Sequence, residues 1–320
     1  MDDVLISTRK LTKQYTAPGG FFRERLSERR AVDEVSLDIL RGEVLGVVGE
    51  SGCGKSTLGR MLVSLLTPSG GDILYDGQAL TQSKEMRRKA QIVFQDPYGS
   101  LNPWMTVFKL VAEPMQIHKL YGKEETARRV ADLLDKVGLS QIDPSRYPHQ
   151  LSGGQRQRLC IARALSVEPE FLLCDEPVSA LDVSVQSQII NLLIDLQRDM
   201  GLTYLFISHS LAVIRNIADR VAVMYLGRIL EIAAADDFFA KPLHPYSCAL
   251  LDAAPVPEVG ARKTAAVLGE ATASGAPMGG CEYYPRCPRR TDKCKVRPEL
   301  TEIGNGRSVA CHQVECDENV

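Results

Sequence analysis

The stretch Gly49-Glu50-Ser51-Gly52-Cys53-Gly54-Lys55-Ser56-Thr57 limits what this chain can fold into more than any other feature. It follows the apolar run Val44-Leu45-Gly46-Val47-Val48 and precedes Leu58-Gly59-Arg60-Met61-Leu62, which predicts a loop between a buried strand and a helix. Glycines in such a loop let backbone N–H groups turn inward without Cβ clashes, and the helix N-terminus adds the positive end of its dipole. Lys55 can then reach the β- and γ-phosphates of a nucleotide, and the Ser56 hydroxyl is placed to ligate Mg²⁺. The alternative is a glycine-rich turn with no ligand. With Lys-Ser at the helix start and the strand in place, the motif points to a nucleoside triphosphate.

The rest of the composition narrows the class. The chain has 320 residues, enough for one large domain with an appendage or for two domains. Its 38 Lys and Arg against 40 Asp and Glu leave a net charge of −2, so no basic excess argues for a nucleic-acid partner. Met1-Asp2-Asp3 opens the chain without a positive-then-apolar leader, and no run of apolar residues is long enough to span a membrane. These features predict a cytosolic protein whose membrane role, if any, comes through a partner.

Along the chain, Leu5 to Tyr15 is a short mixed segment broken by Thr16-Ala17-Pro18-Gly19-Gly20, and Phe21 to Arg30 is a basic insert. Val32, Val35, Leu37 and Ile39 alternate toward the turn Arg41-Gly42-Glu43, so the early strands predict an antiparallel sheet beside the nucleotide fold. Asp72-Ile73-Leu74-Tyr75 enters a tight turn at Asp76-Gly77, and Gln91-Ile92-Val93-Phe94 is a further short strand ending in Gln95. From about Trp104 to Gln150 the pattern becomes helical: Ala127, Val130, Ala131, Leu134 and Val137 share one face and Gly138 follows as a helix stop. Strands return at 171–174, 203–207 and 221–225 with a helix from about Val185 to Met200 between the first two, a βαβ rhythm that implies parallel pairing. Beyond residue 240 the pattern dissolves into Pro, Gly and small residues, through Ala253-Ala254-Pro255-Val256-Pro257, which reads as a separate loop-rich module.

Three further pieces carry chemistry. Asp175-Glu176 ends an apolar strand, where an Asp can hold a metal ion and a Glu can deprotonate water; many strands end this way, but an upstream phosphate loop strengthens the reading. Ser152 precedes Gly153 and Gly154 at the start of a helix, which makes a second anion-binding N-terminus. Tyr15, Gln95 and His209 taken singly read as packing, a polar cap and a structural histidine.

The stretch Leu151-Ser152-Gly153-Gly154-Gln155-Arg156-Gln157 resembles the signature sequence of ATP-binding cassette (ABC) proteins, and the other pieces then fall into that family's order over roughly residues 5–232. The resemblance implies that Gly49 to Thr57 binds ATP phosphates, that Ser56, Gln95 and Asp175 hold Mg²⁺, and that Tyr15 stacks on adenine. It implies Glu176 as the general base, His209 as the switch histidine on the γ-phosphate, and Ser179-Ala180-Leu181-Asp182 as the loop that reports across a dimer. In that dimer Ser152, Gly153, Gly154 and Gln155 of one subunit close over ATP held by the other. The implied fold is α/β, a P-loop NTPase cassette with a RecA-like parallel sheet core, an antiparallel β-subdomain and an inserted helical subdomain at about 98–165. The cassette is expected over 1–240 and a small Cys-rich, loop-rich C-terminal extension over 241–320.

Gln95-Asp96-Pro97-Tyr98-Gly99-Ser100-Leu101-Asn102-Pro103 and His244-Pro245-Tyr246-Ser247-Cys248-Ala249-Leu250-Leu251 resemble the ATPases of oligopeptide and dipeptide importers. Gly54 to Arg60 is similar to the second, F-type, of their two ATPase subunits. The resemblance implies an ATPase on the cytoplasmic face of the inner membrane, peripheral to it. Its implied partners are a second homologous ATPase in a heterodimer, two membrane-spanning permease subunits that dock near Trp104 and Glu113-Pro114, and an extracytoplasmic substrate-binding protein. The implied cargo is peptides, with opines, glutathione or nickel chelates as the alternative. Soluble ABC proteins of translation carry two cassettes in one chain, and DNA-repair ATPases place a long coiled coil between the two glycine motifs; neither pattern is present.

Nine cysteines complete the reading. Cys281, Cys287, Cys294 and Cys311 are similar in spacing to the C-terminal cysteine motif of the same importers, which implies a [4Fe-4S] cluster. Zinc is the runner-up, free or oxidised thiols come third, and Cys316 is surplus.

Overall fold

The computed structural model of the chain describes residues 3–15, 29–253, 277 and 279–314. The expected break after Tyr15, the basic insert up to residue 28, the run 254–257 and Cys316 lie outside the described residues.

The chain opens with β1 (Val4–Tyr15) and β2 (Arg29–Leu40), then β3 (Val44–Val48) and α1 (Lys55–Leu62). Next come β4 (Gly70–Tyr75), β5 (Gln78–Ala79), α2 (Lys84–Lys89) and β6 (Ala90–Val93). Four helices follow with no strand among them: α3 (Pro97–Ser100), α4 (Val107–Ile117), α5 (Lys123–Lys136) and α6 (Gly153–Leu165). The βα rhythm resumes with β7 (Phe171–Asp175), α7 (Val183–Met200), β8 (Thr203–Ile207), α8 (Leu211–Ile217), β9 (Arg220–Tyr225) and β10 (Arg228–Ala234). Last are α9 (Ala235–Ala240), α10 (Pro245–Ala253), β11 (Thr301–Gly304) and β12 (Arg307–Val309).

Two sheets form. The larger has the order β11-β12-β10-β9-β3-β8-β7-β6, with β3, β6, β7, β8 and β9 paired in parallel and β10, β11 and β12 antiparallel. The smaller, antiparallel throughout, has the order β2-β1-β4-β5. All five residues of β3, β7 and β8 are buried, because a parallel sheet is covered on both faces.

The period-two alternation of side chains divides the interior into two layers. Leu45 and Val47, Phe171 and Leu173, and Leu205 and Ile207 point into one layer, shared with α1 and with Leu5, Leu11, Leu37 and Ile39 of the antiparallel sheet. Val44 and Val48, Leu172 and Cys174, and Tyr204 and Phe206 point into the other, shared with α4 to α9. The parallel core, antiparallel sheet and strandless helical insert match the expected architecture.

Helix ends follow local chemistry. Ser152 accepts the Gln155 N–H at 3.3 Å while the Gln155 side chain accepts the Ser152 N–H at 2.9 Å, a capping box that starts α6 where the sequence predicted a helix N-terminus. Gly138, at φ +71°, follows α5 as the left-handed stop. The tail expected to be a loop-rich module carries a hairpin that continues the main sheet, since β12 pairs with β10 through Glu231 and Ile232.

Candidate functional site

Five parallel strands end on one side of the main sheet, and the loops that leave those ends carry the residues singled out in sequence. The turn after β3 contains two glycines, Gly49 and Gly54, that no other residue could replace without a collision. Gly54 has φ +110°, and a Cβ on it would lie 2.0 Å from the Ala31 carbonyl oxygen; on Gly49 it would lie 2.0 Å from the Met224 carbonyl oxygen. The loop therefore lies directly on β2 and β9. Lys55 is the first residue of α1 and is 5% exposed, and its Nζ donates to the carbonyls of Gly49 at 2.8 Å and Glu50 at 2.9 Å. A buried ammonium held by two carbonyls can exchange them for the oxygens of an anionic ligand without leaving its place.

Ser56 and Asp175 meet across the sheet order. The Ser56 hydroxyl donates to Asp175 Oδ1 at 2.7 Å, and Arg60 of the same helix stands 3.6 Å from Oδ2. A hydroxyl and a carboxylate oxygen in contact are the hard donor set that Mg²⁺ takes in nucleotide sites, so the residues fit that ion. Glu176 follows at φ +49°, held there by its N–H to the Ile207 carbonyl at 3.0 Å and by Ser179 Oγ donating to its own carbonyl at 3.1 Å. Its Oε2 accepts Gln95 Nε2 at 3.0 Å and lies 3.3 Å from His209 Nδ1. Gln95, Glu176 and His209 come from the ends of β6, β7 and β8, which the pairing sets side by side.

Gln95 and Glu176 border an open cavity of ≈ 450 Å³ whose lining also includes Tyr15, Gly54, Lys55 and Ser56, whereas Asp175 and His209 are not part of its lining. Ser152, Gly153, Gly154 and Gln155 do not line it. They stand at the N-terminus of α6, where Gly153 packs on Leu181 and Gly154 on Val185, so they lie beside Asp182, the exposed N-cap residue of α7. The structure thus brings two sets together, one around Lys55 and one around Ser152, and does not join them within one chain.

Sequence reasoning missed the outer side of the phosphate loop. The Glu50 N–H donates to the Tyr246 hydroxyl at 2.9 Å, and the Glu50 carboxylate pairs with Arg286 at 3.0 Å. No spacing rule connects residue 50 with residues 246 and 286, and only the apolar segments around Tyr246 hinted that it packs.

The family models agree with this geometry. Residues 32–179 match the "ABC transporter" family and residues 230–294 the "Oligopeptide/dipeptide transporter, C-terminal region". The chain is 48% identical over 319 residues to "Probable peptide ABC transporter ATP-binding protein y4tS" of Sinorhizobium fredii, spanning 98% of this chain and 90% of the relative. The chain belongs to the ABC transporter ATP-binding subunits. It is an ABC-type ATPase of the oligopeptide/dipeptide branch. A further relative in this branch is the oligopeptide transport ATP-binding protein AppF of Bacillus subtilis, 44% identical over 97% of both chains. Among solved structures, the chain is similar to cbiO1 of Clostridium perfringens, part of the ABC transporter complex cbiONQ. That match has a TM-score of 0.65 at 29% identity over 75% of this chain and 92% of that one. It is also similar to the ATP-binding cassette MJ0796 in its dimeric post-hydrolysis state bound to ADP and Pi, with a TM-score of 0.63 at 30% identity over 72% and 99% of the two chains.

For this ABC subunit the [4Fe-4S] expectation on Cys281, Cys287, Cys294 and Cys311, and zinc as its alternative, require correction. Among the described residues no group of three or more His, Cys, Asp or Glu side chains is gathered that could hold a metal ion. Cys281, Cys287 and Cys294 are instead buried in the apolar layer that also holds Tyr246 and Tyr283. Burial pushes the Cys281 thiol up to about 11 and raises Cys287 and the half-buried Cys311 as well, so these groups favour the protonated form, and Cys281 and Cys287 pack as small apolar side chains. A spacing pattern shows that sulfurs can approach one another; it does not show whether packing already holds the segment together.

Proposed function

We propose that this ABC ATPase powers import of peptides across the cytoplasmic membrane. The observation that carries the hydrolytic part of the reading is the meeting of Glu176 with Gln95 and His209 beside a cavity bordered by Lys55 and Ser56, and the peptide cargo rests on the relatives. In this reading the loop 49–57 binds the phosphates of ATP, with Lys55 on the β- and γ-phosphates, and Tyr15 stacks on adenine. Ser56, Asp175 and Gln95 would hold Mg²⁺, which when bound would supply positive charge against the negative charge of the transferred phosphoryl group. Glu176 takes a proton from the attacking water, and Gln95 and His209 orient it and sense the γ-phosphate.

The separate position of Ser152 to Gln155 supports a head-to-tail dimer, in which this helix N-terminus caps ATP held by a second, homologous ATPase and Asp182 contacts the opposite subunit. ATP then favours the closed dimer and hydrolysis releases it. The likeness of Gly54 to Arg60 to the second of two importer subunits supports a heterodimer with a distinct ATPase. Two permease subunits would receive the closing motion near Trp104, which is 86% exposed, and an extracytoplasmic binding protein would deliver cargo. No helix among the described residues is long and apolar enough to cross a membrane. Peptide cargo is favoured over opines, glutathione or nickel chelates by relatives named for peptide transport.

Reconstitution of the complex with its permease and binding proteins in lipid vesicles tests the reading. Added peptides should raise the ATP hydrolysis rate and accumulate inside. Stimulation by opines, glutathione or nickel chelates with no response to peptides would overturn the cargo assignment.

A further inference from the structure

Residue 50 is held on every side, and the outer contacts come from beyond residue 240. Its carbonyl accepts Lys55 Nζ at 2.9 Å and the Cys53 N–H at 3.3 Å. Its N–H donates to the Tyr246 hydroxyl at 2.9 Å, so Glu50 serves the loop as a strut, with its N–H turned away from the cavity. Its carboxylate accepts Arg286 Nη1 at 3.0 and 3.2 Å.

The supports are themselves fixed. Tyr246 is fully buried, and its ring packs against Tyr225 at 4.6 Å and Tyr283 at 5.4 Å between centroids. Arg286 lies over the Tyr225 and Tyr283 rings at 6.0 and 5.8 Å and reaches the Tyr225 hydroxyl at 3.5 Å. Tyr225 ends β9 next to Met224, whose carbonyl is the surface on which Gly49 rests. Anchoring a planar guanidinium between two rings leaves it little freedom to follow a moving carboxylate, so the pair fixes position as well as charge.

We propose that Tyr246 and Arg286 are positioning residues for ATP binding, through which the C-terminal extension sets the affinity of the phosphate loop. This rests on the reading of residues 49–57 as the phosphate cradle. Two physical effects follow from the contacts. When Lys55 turns from the Glu50 carbonyl to phosphate oxygens, the extension still holds residue 50 in place. Arg286 also neutralises the one carboxylate within the loop, which would otherwise repel the triphosphate.

Calorimetric titration of MgATP into the full chain, with thermal melting in parallel, tests the proposal. Arg286→Ala should weaken MgATP binding about tenfold, the scale of one charge-assisted hydrogen bond, with Tm within a few degrees of wild type. Arg286→Lys should recover part of the loss by restoring the charge. In a Glu50→Gln background the same Arg286→Ala change should have little further effect, because the carboxylate it neutralises is gone. Tyr246→Phe keeps the buried ring and removes only the hydroxyl, so it decides the matter should Arg286→Ala fail to fold; it should weaken binding several-fold. Wild-type affinity in either folded variant would overturn the proposal. Lys55→Ala separates the two readings: if it binds MgATP like wild type the cradle assignment fails, whereas its loss of binding beside an unaffected Arg286→Ala defeats only the role of the extension.

Discussion

Replacing Glu176 with Gln separates a catalytic carboxylate from a structural one. Glu176 sits at φ +49° because its N–H is bonded to Ile207 at 3.0 Å and its carbonyl accepts Ser179, and neither contact involves the side chain. A Gln of the same shape keeps that backbone, and its amide oxygen can still accept Gln95 Nε2, so folding should change by less than about 1 kcal/mol, the worth of one polar contact. Hydrolysis should respond far more strongly. An amide cannot take a proton from water, and loss of a general base costs at least about a hundredfold in rate, or about 2.7 kcal/mol in barrier height. The assay is phosphate release at saturating MgATP with binding measured separately by titration. The expected result is unchanged affinity, a Tm within about 2 °C, and a rate reduced by two or more orders of magnitude. Hydrolysis near the wild-type rate would refute the role given to Glu176, and a rate loss matched by an equal loss of folded protein would make the carboxylate structural.

Two other changes probe the frame of the site. Gly54→Ala places a Cβ 2.0 Å from the Ala31 carbonyl at φ +110°, so it should cost about 3 kcal/mol or more, lower Tm by several degrees and abolish MgATP binding; a wild-type melt would contradict the steric argument. Burial lowers His244 from 6.5 to about 4, so between those values the unfolded chain takes up a proton that the folded chain refuses. Stability should therefore fall as pH falls through that window, by about 1.4 kcal/mol per unit, and His244→Asn, which keeps an acceptor for the Tyr246 N–H now bonded to Nδ1 at 3.0 Å, should flatten the slope in denaturant melts. An unchanged slope would place the acid sensitivity elsewhere.

Most of the architecture was legible because it depends on local chemistry. Glycines at 49, 52 and 54 followed by Lys55 and Ser56 specify a turn into a helix, whatever the rest of the chain does. Alternation at Val35, Leu37 and Ile39 reads as one face of a strand, which Val32 joins only through the irregularity at Glu34, φ +54°. Val130, Leu134 and Val137 read as the buried face of a helix, although Ala127 and Ala131 on the same spacing are exposed. The tail was less legible. Cys281, Cys287 and Cys294 have a spacing that suggests a metal, yet the sulfurs lie in an apolar layer, and burial depends on what packs above them from distant segments.

The sequence by itself determined the phosphate loop, the main strands up to β9, the helical insert and the order of the motifs, because each is encoded within a few neighbouring residues. Only the tertiary structure decided which of these meet. Ser56 reaches Asp175 across 119 positions and Glu176 meets Gln95 and His209 because β7 lies between β6 and β8, an order that no local pattern states. It likewise placed Tyr246 and Arg286 against Glu50, since contacts between distant residues are set by which faces are buried together, a property of the packed whole.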